Sequence, residues 1–292
     1  LMSEKISKIV LGTVRFSGIY GIKNNKKILS LKEVKKIINY AYKNKIRYLD
    51  TAINYPKTNH LLKKINIKRF KVTSKLPSIK SNTNNIYYKI SKIIDNHLKQ
   101  LRVKRLYALY LHRPDDLFKE NRENLILALK KLKREKKIKK IGFSVYGIKQ
   151  LKNLIDIFKP DIVQLPLSVF DDRFKKKNII KKLQDMKVEV HVRSVFFQGG
   201  LFCDYKTLNK KLLFTKKIYS KWRNWLQKNN ANITRGAFSV LYKLKKVKVV
   251  VGVESRDQLI EINNEFKKKF LKPPQINVSN KILKKHYNFN IN

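Results

Sequence analysis

Four residues of this chain form a catalytic vocabulary: Asp50 and Tyr55 in YLDTAINY, Lys75 in VTSKLP, and His112 in YLHRP. Reduction of a carbonyl by hydride needs a proton donor at the developing alkoxide. Tyrosine, with an unperturbed pKa near 10, is a poor acid at neutral pH unless its surroundings help. A Lys ammonium about 4 Å from the phenol, at an effective dielectric of about 20, favours the phenolate by roughly 4 kcal/mol, or up to about three pKa units. Desolvation reduces that gain. The expected roles are therefore Tyr55 as acid/base, Lys75 as the charge that tunes it, Asp50 as the partner that orients Lys75, and His112 as the group that polarises the carbonyl. Singly, each residue has an ordinary reading: a cap, a rim aromatic, one lysine of many, a turn histidine. Four together, all at the ends of β-runs, point to catalysis.

Such residues converge only if strand ends meet around one mouth. Short β-branched runs recur at 6–12, 46–50, 70–74, 106–111, 139–144, 161–165, 188–192 and 247–252. These read as eight strands. Between them, amphipathic stretches at 31–44, 84–101, 117–136, 148–158, 175–186 and 256–266 read as helices, with Ser30 placed to cap the first. The stretch 58–66 is a short helix at best, and 203–246 must hold at least two more, around 216–228 and 233–243. Alternation of this kind implies parallel strands, and the expected fold is a single-domain α/β protein, a (β/α)8 TIM barrel. An open doubly wound sheet would need a glycine-rich phosphate turn after its first strand. Here Gly12, Gly18 and Gly21 in VLGTVRFSGIYG are too far apart. One domain over 1–292 is expected, with a C-terminal extension from about 272 that either crosses the mouth or frays.

Composition narrows the function classes. A hydrophobic content of 42% over 292 residues is enough to fill a core. The single cysteine, Cys203, excludes an intrachain disulfide and a CxxC site, and the five histidines lack metal-ligand spacing, so no metal is expected. No apolar run reaches the roughly 18 residues a membrane span needs, and LMSEKISKIVLGT has no sustained apolar core; a cytoplasmic protein is expected. The formal net charge of +49 would suit a polyanion. Its lysines, however, are spread over almost every expected helix, as in KKLKREKKIKK and EFKKKF. Dispersed lysine reads as solvated surface and weighs against a nucleic-acid partner.

In order, LGTVRFSG, YLDTAINY, VTSKLP, LHRP, IKKIGFSVY, DIVQLPLSVFD and VVVGVESRDQLIEI resemble the successive segments of the aldo-keto reductase family. The resemblance implies an NAD(P)H-dependent oxidoreductase with a small-molecule carbonyl substrate and no metal or flavin. Ser144 and Gln164 match residues that bind the nicotinamide carboxamide, although Val145 stands where an Asn usually follows. Arg193 occupies the slot of a stacking aromatic, and a guanidinium also stacks on flat rings. Ser194 and the turn Gln198–Gly200 are expected along the pyrophosphate. This Arg-Ser pair resembles a branch associated with sugar and surface-polysaccharide metabolism. At the last segment, Gly252, Ser255 and Gln258 form a phosphate-suited turn and helix start, while Glu261 matches an adenine-side residue and Ile262 replaces the usual Asn. Arg256 is the expected partner of a 2′-phosphate, opposed by Glu254; NADP(H) is expected over NAD(H).

The substrate mouth is expected to be lined by Phe16, Tyr20, Arg113, Phe197 and Phe202, with Trp222 and Trp225 as core or rim. Two other classes remain: a non-catalytic NAD(P)-binding regulatory subunit on the same barrel, and a polyanion-binding barrel. Neither needs the intact set of Asp50, Tyr55, Lys75 and His112. Substrate identity and oligomeric state are not written in the sequence.

Overall fold

Eight parallel strands close on themselves in sequence order. The structure, a computed structural model, describes residues 6–18, 21–22, 28–79 and 85–287. The chain runs β1 (Ile9–Gly12), α1 (Leu31–Lys43), β2 (Tyr48–Asp50), α2 (Pro56–Lys63), β3 (Lys71–Leu76), α3 (Ile86–Leu101), β4 (Leu106–Leu111), α4 (Arg122–Arg134) and β5 (Ile138–Ser144). It continues through α5 (Ile148–Ile157), β6 (Ile162–Pro166), α6 (Arg173–Lys176), α7 (Ile179–Asp185) and β7 (Glu189–Arg193). The last part holds α8 (Tyr205–Leu212), α9 (Lys216–Lys228), α10 (Ile233–Phe238), β8 (Val247–Gly252), α11 (Arg256–Lys267) and α12 (Asn280–Tyr287). Pairing of Gly12 with both Asp50 and Gly252 closes the ring and brings the ends of β1, β2 and β8 level. The expected TIM barrel is what the chain forms.

Local sequence explains the elements. In α3 the buried residues Ile86, Ile90, Ile94, Leu98 and Leu101 recur at helical spacing and form one stripe against the sheet. Ser30 accepts from the Glu33 N–H at the start of α1, and Ser255 does the same for Gln258 at α11. Two expected helices are broken. The stretch 117–136 opens as a 3-10 turn, Pro114–Phe118, because the Asp116 carboxylate turns inward to accept from Ser78 Oγ (2.7 Å) and Ile79 N (3.0 Å). The stretch 175–186 divides at Asn178, which adopts φ 56° between α6 and α7. The long β7–β8 connection holds α8 in addition to the two helices expected there; its start is capped by Asp204, and Leu208 and Leu212 are buried.

Along several strands aliphatic and polar side chains alternate, and the two sets have different surroundings. Leu49, Val163, Leu165, Val190 and Val192 belong to the main apolar core that joins sheet to helices. The alternate residues meet inside the barrel, where a polar column runs through positions that bulky aliphatics usually fill. Tyr110 Oη and His191 Nδ1 lie 3.2 Å apart, His191 Nε2 and Glu189 Oε1 2.8 Å apart. Glu189 also binds Lys140, Lys248 and the Tyr107 hydroxyl. Burial alone would raise the Glu189 carboxyl, but His191 and the two lysines hold it well below the usual carboxylate range. A buried column of this kind is stable only when its members are bonded to one another. Gly142 makes room beside it: a Cβ there would stand 2.2 Å from the Ile162 carbonyl oxygen.

The C-terminal helix α12 docks on the end of the barrel where the strands finish. His286 stacks on Phe197 with centroids 3.6 Å apart, and Tyr287 packs against Tyr146 at 5.5 Å. Both His286 ring nitrogens are buried without a hydrogen-bond partner among the described residues. Burial, reinforced by the Arg193 charge, lowers its pKa to about 3. Burial likewise lowers His97 to about 4. A histidine that protonates near pH 6.5 when unfolded but only near pH 3 when folded withdraws stability as pH falls between those values. His286→Phe should keep the stack, leave stability at pH 7 undiminished and flatten the loss between pH 6.5 and 4. Denaturant midpoints at pH 7 and pH 5 check this; an unchanged slope would refute it.

Candidate active site

The ends of the strands bring the expected catalytic residues to one cavity of about 490 Å³, lined by Asp50, Tyr55, Lys75 and His112 together. Asp50 closes β2, Lys75 lies within β3 one residue before its end, His112 directly follows β4, and Tyr55 stands at the start of α2. Asp50 and Lys75 are 6% and 4% exposed, so their ion pair is dry. Lys75 Nζ lies 2.5 Å from Asp50 Oδ2 and donates to the Thr51 carbonyl at 3.1 Å. The other carboxylate oxygen, Oδ1, accepts from Thr73 Oγ1 (2.8 Å) and Gln164 Nε2 (3.0 Å). Four interactions thus fix a buried charge pair that would otherwise be costly. Tyr55 is half-buried, and its backbone carbonyl accepts from Asn59 N at 2.8 Å.

His112 is half-buried. Burial, with the Lys75 and Arg193 charges adding to it, lowers its pKa to about 4. At neutral pH the imidazole is therefore uncharged, and one ring N–H remains to donate.

The residues expected on the cofactor side divide. Ser144, Gln164, Arg193, Ser194, Gly252, Gln258 and Glu261 line the cavity. Ser255 and Arg256 do not. The Arg256 guanidinium lies 3.2 Å from Asp257 Oδ1, and its backbone N–H donates to Glu33 Oε1 at 2.8 Å. Arg193 lies over the Tyr146 ring at 4.1 Å and donates to the Val145 carbonyl at 3.1 Å. Gln258 accepts from the Glu254 N–H at 2.8 Å, and Glu261 accepts from Thr234 Oγ1 at 2.6 Å. After β7, Ser194, Phe197, Gln198 and Gly199 all take positive φ between 50° and 87°. Left-handed backbone costs about 1–2 kcal/mol per non-glycine residue, and such strain gathers at binding loops. At Gly199 a Cβ would meet nothing within 4 Å, so this glycine serves the turn and leaves the cavity open.

The mouth departs from expectation. Phe202 lines the cavity, whereas Phe16, Arg113 and Phe197 do not, and Tyr20 lies outside the described residues. Phe16 and Phe197 are wholly buried because they hold the β1 and β7 loops against the core. Trp222 is also core, packed in parallel with Trp225 at 5.7 Å. Arg15, Tyr146, Phe196 and Thr234 line the cavity without having been singled out, and Arg15 forms an ion pair with Glu254, which also lines it. Arg15 and Tyr146 fall three and two residues past β1 and β5, so their strand-end positions were a usable signal. Thr234, on α10, had none.

Among the described residues no group of His, Cys, Asp or Glu could hold a metal ion, and no helix is long and apolar enough to cross a membrane.

A family model for the aldo/keto reductase family matches residues 8–283, and the chain belongs to that family. Its members are oxidoreductases of carbonyls that use nicotinamide cofactors. The fold is similar to that of an aldo-keto reductase of Bacillus halodurans in its holo form, at 16% identity over 97% of this chain and 92% of that one, with a TM-score of 0.71. A Pseudomonas aeruginosa protein described as an aldo-keto reductase aligns at 18% identity over 90% and 91%, with a TM-score of 0.65. A thermostable aldo-keto reductase solved with the inhibitor epalrestat aligns at 16% over 98% and 96%, with a TM-score of 0.64. At these identities the likeness concerns the fold. No curated protein matches the chain.

Proposed function

We propose that the protein is an NAD(P)H-dependent carbonyl reductase in which Tyr55 gives the proton to the substrate oxygen. The observation that carries this reading is the meeting of Asp50, Tyr55, Lys75 and His112, from the C-terminal ends of β2, β3 and β4, on one cavity. The donor set also fits a nicotinamide cofactor. Buried Ser144 and Gln164 offer amide-binding groups beside the ion pair, and the lining continues through the strained β7 loop to α11. A reduced nicotinamide, when bound, supplies hydride to the carbonyl carbon. The chain's own residues do the rest. Neutral His112 donates a hydrogen bond to the carbonyl oxygen, Tyr55 Oη protonates it as negative charge develops, and the Lys75 ammonium, held by Asp50 and Thr51, stabilises the phenolate left behind. Solvent then returns a proton to Tyr55. Arg193, Ser194, Gln198 and Gly199 are proposed along the cofactor, with Gly252, Gln258 and Glu261 towards its adenosine end.

The family pattern favours NADP(H), with Arg256 as the cation at the 2′ position. A specific observation favours NAD(H) as a second reading: Glu33 binds the Arg256 N–H and Asp257 lies against its guanidinium, so carboxylates crowd that helix start. The test offers NADPH and NADH separately with a panel of aldehydes and aldoses and follows absorbance at the reduced-nicotinamide band. Carbonyl-dependent oxidation is expected, and the ratio of rates decides between the two cofactors. Saturable cofactor binding without oxidation would overturn the reductase in favour of a regulatory subunit.

A further inference from the structure

We propose that the floor of the barrel carries a second site, an electropositive groove that binds the phosphate backbone of a single-stranded nucleic acid. The groove, about 920 Å³, lies where β3, β4 and β5 begin, at the opposite end of the strands from the catalytic cavity. The turn leading into β3 contributes Lys68 and Arg69, and β3 itself Lys71. Lys99 and Arg102 come from the end of α3, Lys104 and Arg105 from its connection to β4, and Lys139 from β5. All eight are exposed.

Composition alone does not account for this concentration. Lys and Arg make up 69 of 292 residues, yet they are eight of the thirteen that line the groove, and no acidic residue is among them. The catalytic cavity differs: Arg15, Lys75 and Arg193 are matched there by Asp50, Glu254 and Glu261. The excess charge therefore does not serve the mouth. The even dispersal expected from sequence fails on this face, because segments some thirty residues apart fold side by side. None of the eight cations is paired with a carboxylate among the described residues. The acids close by in sequence or contact are already committed, Asp95 to Lys137 and Glu189 to Lys140 and Lys248. Aromatic faces hold several of the cations instead. Arg69 lies over Tyr42 at 3.8 Å, and Lys71 approaches both Tyr48 and Tyr107. Cations so placed have no carboxylate partner among the described residues and stay open to an external anion.

The shape and lining select the ligand. Eight cations from three successive strand entries suit a chain of phosphates better than one phosphate group. A concave channel admits a single strand, whereas a duplex presents a convex surface. None of the exposed large apolar side chains lines the groove, so it lacks the anchors of a membrane-docking face. The aromatic residues present cannot stack bases: Phe70 is buried, and half-buried Tyr107 has its hydroxyl on Glu189. Recognition is therefore of backbone charge, tolerant of sequence.

The test uses the full chain and a fluorescently labelled single-stranded oligonucleotide, with binding followed by anisotropy over a range of salt. Lys68→Glu, Lys104→Glu and Arg105→Glu together change three exposed turn residues outside the catalytic cavity. A control, Lys182→Glu, Lys210→Glu and Lys217→Glu, makes the same change of net charge on exposed helical positions elsewhere. The groove variant should lose at least about tenfold in affinity, and its salt slope should fall by about 2, since each phosphate contact to a single strand contributes about 0.7. The control should keep the wild-type slope, and carbonyl reduction should be the same in all three proteins. Equal losses in groove and control variants would overturn the site, leaving only general attraction to a highly charged protein. A groove-dependent preference for phosphatidylglycerol vesicles over the oligonucleotide would overturn the nucleic-acid assignment in favour of a lipid surface.

Discussion

Tyr55→Phe is expected to lower carbonyl reduction by roughly 10²- to 10⁴-fold, the usual worth of a positioned general acid, while leaving cofactor affinity within about twofold. The exchange removes one oxygen and keeps the ring. The Asn59 bond that starts α2 involves only the Tyr55 backbone and is unaffected. A loss of this size corresponds to about 3–5 kcal/mol of transition-state stabilisation at 1.36 kcal/mol per decade. Because the hydroxyl is asked to act on charge that develops during the reaction, kcat and kcat/KM should fall together. A rise in KM with kcat intact would instead make Tyr55 a substrate-binding residue. Retention of more than a tenth of turnover would sink its role as proton donor, and His112 would become the next candidate. That fallback has a built-in difficulty: His112, with a pKa of about 4, is a neutral imidazole at pH 7, suited to a hydrogen bond and poorly placed to deliver a proton.

The barrel was legible because two periodicities repeat along the whole chain, and strand runs such as LYALYL and VKVVVG fall on β4 and β8 with the bounds read from sequence. Convergence of Asp50, Tyr55, Lys75 and His112 followed from the fold, since parallel strands in sequence order bring their C-terminal ends together. Pairings between distant segments were not legible. His191 in VEVHVR reads as one polar residue in an alternating strand; only closure of the ring sets it between Tyr110 and Glu189. Arg256 is the expected partner of a 2′-phosphate from its place in the last family-like segment, although Ser255 and Arg256 also read as a simple helix cap and first turn. The fold gives its guanidinium to Asp257 and puts Arg15, from the other end of the sequence, into the cavity instead. Trp222 and Trp225 could not be divided between rim and core by pattern, because nothing in helical spacing says what α9 packs against. The basic groove was hidden for the same reason: Arg69 and Arg105 are remote in sequence, and dispersed charge in one dimension became a cluster in three.

Lys75→Met should be the most damaging single change to stability at the site, and its effect on turnover can be separated from that damage. Removal of the ammonium leaves the Asp50 carboxylate 6% exposed, with only Thr73 and Gln164 donating to it. Breaking a buried pair on one side costs about 3–5 kcal/mol, because the remaining charge has neither water nor counter-ion. The double variant Asp50→Asn, Lys75→Met removes both charges. Its amide oxygen can still accept from Thr73 and Gln164, and its NH2 can use the Thr51 carbonyl that Lys75 vacates. Most of the lost stability should therefore return, because a buried pair replaced as a whole is often nearly neutral. Turnover should not return. Without the ammonium the phenolate that protonation of the substrate leaves on Tyr55 loses the cation that Asp50 and Thr51 hold for it, and both variants should stay at least about a hundredfold below wild type. Denaturant unfolding and single-turnover reduction on the same three proteins give the two readouts. Recovery of both stability and turnover in the double variant would show that the pair only braces the barrel, and Lys75 would lose its place in the chemistry.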